Sequence, residues 1–284
     1  MADLRSEFVG IKSPNPFWLA SAPPTDKAYN VNRAFEAGWG GVVWKTLGQE
    51  GPPVVNVSSR YGSVDVGGYR MMGLNNIELI TDRPLEVNLK EIKEIKKLWP
   101  DRAVVTSLMV PCEEQAWKDI LLKVEDTGTD GVELNFGCPH GMSERGMGAA
   151  VGQVPQYIEM VARWCKQHTK LPVIVKLTPN ITDIRNPARA AHTGGADAVS
   201  LINTINSIVS IDLDKMAPTP TVGGKGTHGG YCGPAVKPIA LNMVAEIARD
   251  NQTRGFPISG IGGVSDWVVI MCKCVQRRCA TDSK

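Results

Sequence analysis

The feature that most constrains the fold is an alternation, repeated along most of the chain, of short apolar β-rich runs with longer amphipathic stretches. Seven runs read as strands: Phe17–Ala22, Gly41–Thr46, Ala103–Met109, Gly131–Phe136, Pro172–Leu177, Ala198–Asn203 and Phe256–Gly260. Most are continuously hydrophobic, as strands covered on both faces are, and this predicts a parallel sheet. Between them apolar residues recur at helical spacing: Leu85, Leu89 and Ile92; Trp117, Ile120, Leu121 and Val124; Tyr157, Met160, Val161 and Trp164. Each stripe is expected to cover one face of the sheet. No Gly-x-Gly-x-x-Gly follows the first strand, so an α/β (β/α)8 barrel fits better than an open doubly wound sheet. Residues 264–284 are too few to supply a crossover helix, an eighth strand and a capping helix, so the expected barrel lacks its eighth strand.

Composition narrows the function. The 284 residues allow one large domain or two small ones. Charged residues make up 21% and the formal net charge is +2, which argues against disorder and against a nucleic-acid footprint. No apolar run approaches the roughly 18 residues of a membrane span, and the start Met-Ala-Asp-Leu-Arg-Ser-Glu lacks a signal-peptide pattern, so a cytoplasmic location is expected. Seven cysteines with no Cys-x-x-Cys pair point to free thiols and to no metal site.

In such barrels the chemistry sits at the C-terminal ends of the strands. Four ends carry polar residues: Lys45-Thr46, Asn135-Phe-Gly-Cys138-Pro-His140, Lys176-Leu-Thr178-Pro-Asn180 and Asn203-Thr204-Ile-Asn206. Each lysine has two readings, a stem that packs while its ammonium reaches water, or one of a pair that stabilises an anion such as a phosphate or a reduced cofactor. Asn135 and Asn203 are turn formers or strand caps, or else a donor–acceptor set suited to the N–H and C=O edge of a pyrimidine. Cys138 is a small buried hydrophobe, the reading given to Cys112, Cys165 and Cys232, or a general acid/base. It opens a glycine-rich segment, 140–148, with the look of a mobile lid, where His140 either tunes the thiol or binds a carbonyl. The glycine-rich connections 229–233 and 260–263 lie on either side of a helix ending near Arg249, as ordinary turns or as a phosphate cradle.

Taken together, the segment 135–148 with Asn-Pro-Phe (15–17), Gly-Trp-Gly-Gly (38–41), Lys45-Thr46, Asn76-Ile-Glu78, Lys176-Leu-Thr-Pro-Asn, Asn203-Thr204 and Ser259-Gly-Ile-Gly-Gly263 resembles the dihydropyrimidine dehydrogenase family. Within it, the resemblance is to the pyrimidine-reducing FMN domain, as in the bacterial NAD-dependent catalytic subunit, one branch of the dihydroorotate dehydrogenase-like barrels. The resemblance implies FMN contacts at Ser21, Lys45, Thr46, Lys176, Gly233, Ile261, Gly262 and Gly263. It implies pyrimidine contacts at Asn76, Asn135, Phe136, Gly137, Asn203 and Thr204, with Cys138 as acid/base at C5 and hydride exchange between flavin and C6. It further implies an electron-delivering partner subunit carrying FAD, NAD(P) and iron–sulfur clusters, in a homo- or hetero-oligomer. The matching domain is expected to span residues 1–267. Residues 268–284 form a divergent tail whose cysteines lack cluster spacing, as a truncated or altered end would have. Dihydroorotate oxidation, or a fragment with little activity, are the rival readings.

Overall fold

The computed structural model describes residues 3–265 other than 50–53, 57–59, 69, 140–141, 143–144, 223–224 and 227. His140, much of the 140–148 segment, the boundary at Trp267 and the tail 268–284 therefore lie outside the described residues.

All seven expected strands form, as β1 (Trp18–Leu19), β2 (Gly41–Leu47), β3 (Ala103–Leu108), β4 (Gly131–Asn135), β5 (Val173–Lys176), β6 (Ala198–Leu201) and β7 (Ile258–Gly260). They join in sequential order, and every pairing between them is parallel. Among the described residues β1 and β7 are the edges of this sheet. One helix of nine residues or more packs in each crossover: α1 (Ala28–Glu36), α2 (Leu85–Leu98), α3 (Glu114–Glu125), α4 (Pro155–His168), α5 (Arg185–Thr193) and α6 (Lys237–Arg249); a four-residue helix, Ala149–Gly152, precedes α4. The outcome is a (β/α)8-type barrel with seven parallel strands among the described residues.

The period-2 and period-3.6 patterns explain how the layers meet. Val104, Val132, Leu134, Val175 and Val199 leave the sheet on its outer side and share one core with Ile92, Trp117, Ile120, Val161 and Val244 of the helices. The stripes of α2 and α3 are as expected. That of α4 is rotated: Ile158, Val161, Ala162 and Cys165 are buried while Tyr157 is 47% exposed. An amphipathic aromatic can sit at the edge of a helix face, so Tyr157 was a poor marker of the stripe's centre.

The inner side of the sheet is stratified. Val43, Val105, Ile174 and Ala198 form an apolar layer at its N-terminal end, closed by Ile11 from an N-terminal hairpin, Ser6–Phe8 paired with Ile11–Ser13. Nothing in the strand–helix alternation announces this plug. Two residues further along the same strands, on the same face, stand Lys45, Ser107, Lys176 and Ser200, with Glu133 of β4 among them, all buried.

A second sheet also lies outside the expected pattern. Ile205–Ser207, Gly229–Cys232, Arg70–Asn76 and Tyr61–Val66 form four antiparallel strands in that order. They come from the connections after β2 and β6 and so belong to the C-terminal end of the barrel. Gly229–Cys232, read as part of a glycine-rich turn, is thus a strand. Its glycines allow close approach, since a Cβ on Gly230 would lie 2.1 Å from Thr204 Oγ1.

Candidate active site

A bulge lets one strand place two functional side chains. The β2–β3 register shifts between Trp44 and Leu47, so Trp44 and Leu47 enter the outer core while Lys45 and Thr46 both turn inward. Thr46 Oγ1 is the hub of a buried hydrogen-bond chain: it lies 2.9 Å from Ser107 Oγ and 3.2 Å from Ser21 Oγ, and accepts from Asn135 Nδ2 at 2.9 Å. Asn135 Oδ1 in turn accepts from Asn203 Nδ2 at 3.0 Å and from the Gly137 amide at 3.2 Å. Asn203 Oδ1 accepts from the Thr204 amide at 2.7 Å. Six expected site residues, Ser21, Thr46, Asn135, Gly137, Asn203 and Thr204, at or just beyond the C-terminal ends of β1, β2, β4 and β6, are therefore one network. The Asn side chains are more than turn caps.

The two lysines are both buried, each 5% exposed, which rules out the reading in which their ammonium groups reach water. Each has a carboxylate partner. Lys45 Nζ lies 2.5 Å from Glu78 Oε2, and Glu78 also takes Arg60 Nε at 2.5 Å and the Tyr61 hydroxyl. Burial, then the Glu78 carboxylate beside it, push the Tyr61 phenol up and keep it protonated as a donor. Lys176 Nζ lies 3.6 Å from Glu133 Oε1, while Ser200 Oγ donates to Glu133 Oε2 at 2.8 Å. Glu133, Ser107 and Ser200 escaped the sequence reading. A glutamate in the middle of Gly-Val-Glu-Leu-Asn, an otherwise apolar strand, was the available signal.

The remaining candidates divide by location. Asn76 ends a strand of the antiparallel sheet, donating to Gly230 O at 3.0 Å and accepting from the Glu78 amide at 3.2 Å. Phe136 turns its ring outward, edge-on to Trp117 with centroids 6.0 Å apart, so its backbone is what it offers the mouth. Gly137 is needed for close packing, since a Cβ there would lie 2.4 Å from Asn203 Cβ. Cys138, 8% exposed, sits with Ile80, Met109, Met142 and Met147 in a small apolar cluster. Cys165 is fully buried as expected, and burial pushes its thiol up; Cys112 and Cys232 are only half-buried. Gly233, Gly262 and Gly263 converge on the start of α6. Gly233 precedes the short helix Pro234–Val236 that runs into it, and a Cβ on Gly263 would lie 2.8 Å from Lys237 N. Ile261 ties this loop to β6 through its amide, 2.7 Å from Leu201 O.

Comparison with known proteins gives this arrangement a lineage. Residues 3–267 match the dihydroorotate dehydrogenase family. The chain belongs to that family. Among its relatives it is 43% identical over 270 residues to the chloroplastic NADP-dependent dihydropyrimidine dehydrogenase of Arabidopsis thaliana, covering 92% of this chain and 63% of that protein. It is 41% identical over 266 residues to the NAD-dependent dihydropyrimidine dehydrogenase subunit PreA of Escherichia coli K12, covering 93% and 64% respectively. The chain thus spans slightly under two thirds of either protein. A catalytic subunit of dihydroorotate dehydrogenase B from Pyrococcus abyssi is 36% identical, with 93% and 81% covered. The dihydroorotate dehydrogenase of Eimeria tenella, solved with ferulenol, superposes with a TM-score of 0.70 at 15% identity, over 96% of this chain and 76% of that one. This family member therefore has the dihydroorotate dehydrogenase fold, with its polar residues gathered where that fold's strands end. No helix among the described residues is long and apolar enough to cross a membrane.

Proposed function

We propose that the chain is the FMN- and pyrimidine-binding part of an oxidoreductase that interconverts uracil or thymine with the 5,6-dihydropyrimidines. The observation that carries the reading is the hydrogen-bond network Thr46–Asn135–Asn203–Thr204 flanked by two ion-paired lysines, at the mouth of a barrel whose relatives include dihydropyrimidine dehydrogenases. The residues fit a flavin mononucleotide. Glycines at 233, 262 and 263 bring backbone close to the start of α6, a setting suited to a phosphate, with Ile261 anchoring the loop. Ser21, Lys45, Thr46 and Lys176 supply donors for the polar edge of the ring system, and Glu133 Oε1, buried without a hydrogen-bond partner among the described residues, marks a polar interior still to be satisfied. Bound there, FMN supplies two-electron hydride chemistry at pyrimidine C6.

The chain's own groups do the rest. Asn76, Asn135, Asn203 and Thr204, with the backbone at Phe136 and Gly137, orient the ring by its alternating N–H and C=O groups. Cys138 gives or takes the proton at C5, and the apolar side chains around it keep water away. The electrons reach the site through a partner bearing FAD, NAD(P) and iron–sulfur clusters; the Escherichia coli relative is itself named a subunit. We place the activity in the cytoplasm.

The test is reconstitution of the purified chain with FMN, followed by dye-linked oxidation of dihydrouracil, dihydrothymine and dihydroorotate. Flavin uptake with turnover of the first two is the expected result. Turnover of dihydroorotate instead would move the chain to the activity named for the Pyrococcus abyssi relative. No flavin uptake would overturn the reading.

A further inference from the structure

We infer that Glu133 is the counter-ion and positioning residue of Lys176, and that through this pair it holds down the reduction potential of a flavin at the barrel mouth; the inference rests on the flavin reading above. Glu133 is 1% exposed in the barrel interior, where a carboxylate is costly unless a cation and donors compensate it. It has both, unequally. Ser200 Oγ donates to Oε2 at 2.8 Å, whereas Oε1 has no hydrogen-bond partner among the described residues and faces Lys176 Nζ at 3.6 Å. That separation is within Coulombic range and beyond hydrogen-bond range. The carboxylate therefore fixes where the ammonium sits without consuming its N–H groups, which stay available to a ligand's acceptors.

The register explains how the pair is held. Asn135 of β4 is paired with Lys176 of β5, and Lys176 with Ser200 of β6, so Glu133 stands one inward step below Asn135 and reaches across to both neighbours. The other lysine is held differently. Glu78 is shared among Lys45, Arg60 and Tyr61, which leaves that group of charges net cationic, while Lys176 and Glu133 together are neutral. A neutral pair donates hydrogen bonds to the flavin but adds little net attraction for the negative charge of its reduced form. Removing the carboxylate charge uncovers the ammonium and favours the reduced cofactor.

The experiment measures FMN affinity in both redox states, and hence the midpoint potential, for the reconstituted chain and for Glu133→Gln, Glu133→Asp, Lys176→Met and Glu133→Gln/Lys176→Met. Glu133→Gln should favour reduced over oxidised FMN by about tenfold, an upward shift of about 30 mV for a two-electron couple. Glu133→Asp, which keeps the charge, should stay within about threefold of the parent. In the Lys176→Met background the Gln substitution should change the ratio by less than about twofold, because the ammonium whose charge it would uncover is gone. An unchanged or lowered potential in Glu133→Gln, or an equal shift with and without Lys176, overturns the inference while leaving the flavin reading intact. A parent chain that takes up no FMN removes both. If Glu133→Gln does not fold, Ser200→Ala replaces it: a shift of threefold or more that vanishes without Lys176 supports the pairing, and any other result overturns it.

Discussion

At the scale of single residues, the site is a set of polar groups that hold one another until a ligand arrives. Asn135 spends both ends of its amide within the protein, on Thr46 and Asn203, so a pyrimidine bound as proposed would have to exchange those bonds for its own. Cys138→Ala should lower dihydropyrimidine turnover by roughly 10²–10⁴-fold and leave flavin uptake unchanged, because a proton donor is lost and no cofactor contact is. Turnover near the parent level alongside normal flavin spectra would remove the thiol from the chemistry. Gly137→Ala tests the packing argument. The added methyl would overlap Asn203 Cβ and Nδ2, at 2.4 and 2.5 Å, so Asn203 must move off Asn135. KM for the pyrimidine should rise about tenfold or more, the cost of roughly one well-made polar contact or two, with thermal stability changing less.

The elements are joined by a few directional links that a helical stripe does not reveal. On α2, Glu91 accepts from the Ala28 amide at the start of α1 at 2.8 Å and pairs with Arg83, whose guanidinium also reaches Asp26 O. Burial alone pushes the Glu91 carboxyl up, but the Arg83 hydrogen bonds and the Ala28 amide outweigh it and leave it below its ordinary value. A carboxyl depressed in the folded state stabilises the protein above its unfolded pKa of about 4.3, and that contribution is lost as pH falls through the lower folded value. Glu91→Gln should therefore cost about 1–3 kcal/mol at pH 7, with the gap to the parent closing below about pH 4 in parallel denaturation curves. The loop after β7 makes a second junction. Gly263, at φ 65° and pressed against Lys237 at the start of α6, has no room for a side chain, so Gly263→Ala should weaken FMN retention about tenfold or more while pyrimidine specificity is kept. Equal retention would separate that glycine from the phosphate.

For the whole molecule, the barrel works because its interior changes character along its axis. The N-terminal half is sealed by Ile11 against Val43, Val105, Ile174 and Ala198, which leaves the charged layer above it facing one way, toward the second sheet. Ile11→Ala should destabilise the fold by about 2–5 kcal/mol, read as a lowered chemical-denaturation midpoint, since the surrounding strands cannot collapse inward to refill the space. A loss under about 1 kcal/mol would mean that the hairpin is dispensable to the core. Much of this architecture was legible in the chain itself: seven strands, their parallel order and the helix faces on α2 and α3 are patterns of local period, and local period reflects which side of each element is buried. Lys45, Cys138, Lys176 and the asparagines stood out for the same reason, as polar residues interrupting or ending apolar runs. The plug, the antiparallel sheet and the partners of the lysines did not, because each depends on segments far apart in the chain meeting in space: Glu133 and Ser200 are 67 residues apart, Asn76 and Gly230 are 154 apart, and no window of sequence holds both members. A lone glutamate in a strand is ambiguous until the fold supplies the cation beside it, since the cost of burying a charge is settled by its neighbours in three dimensions.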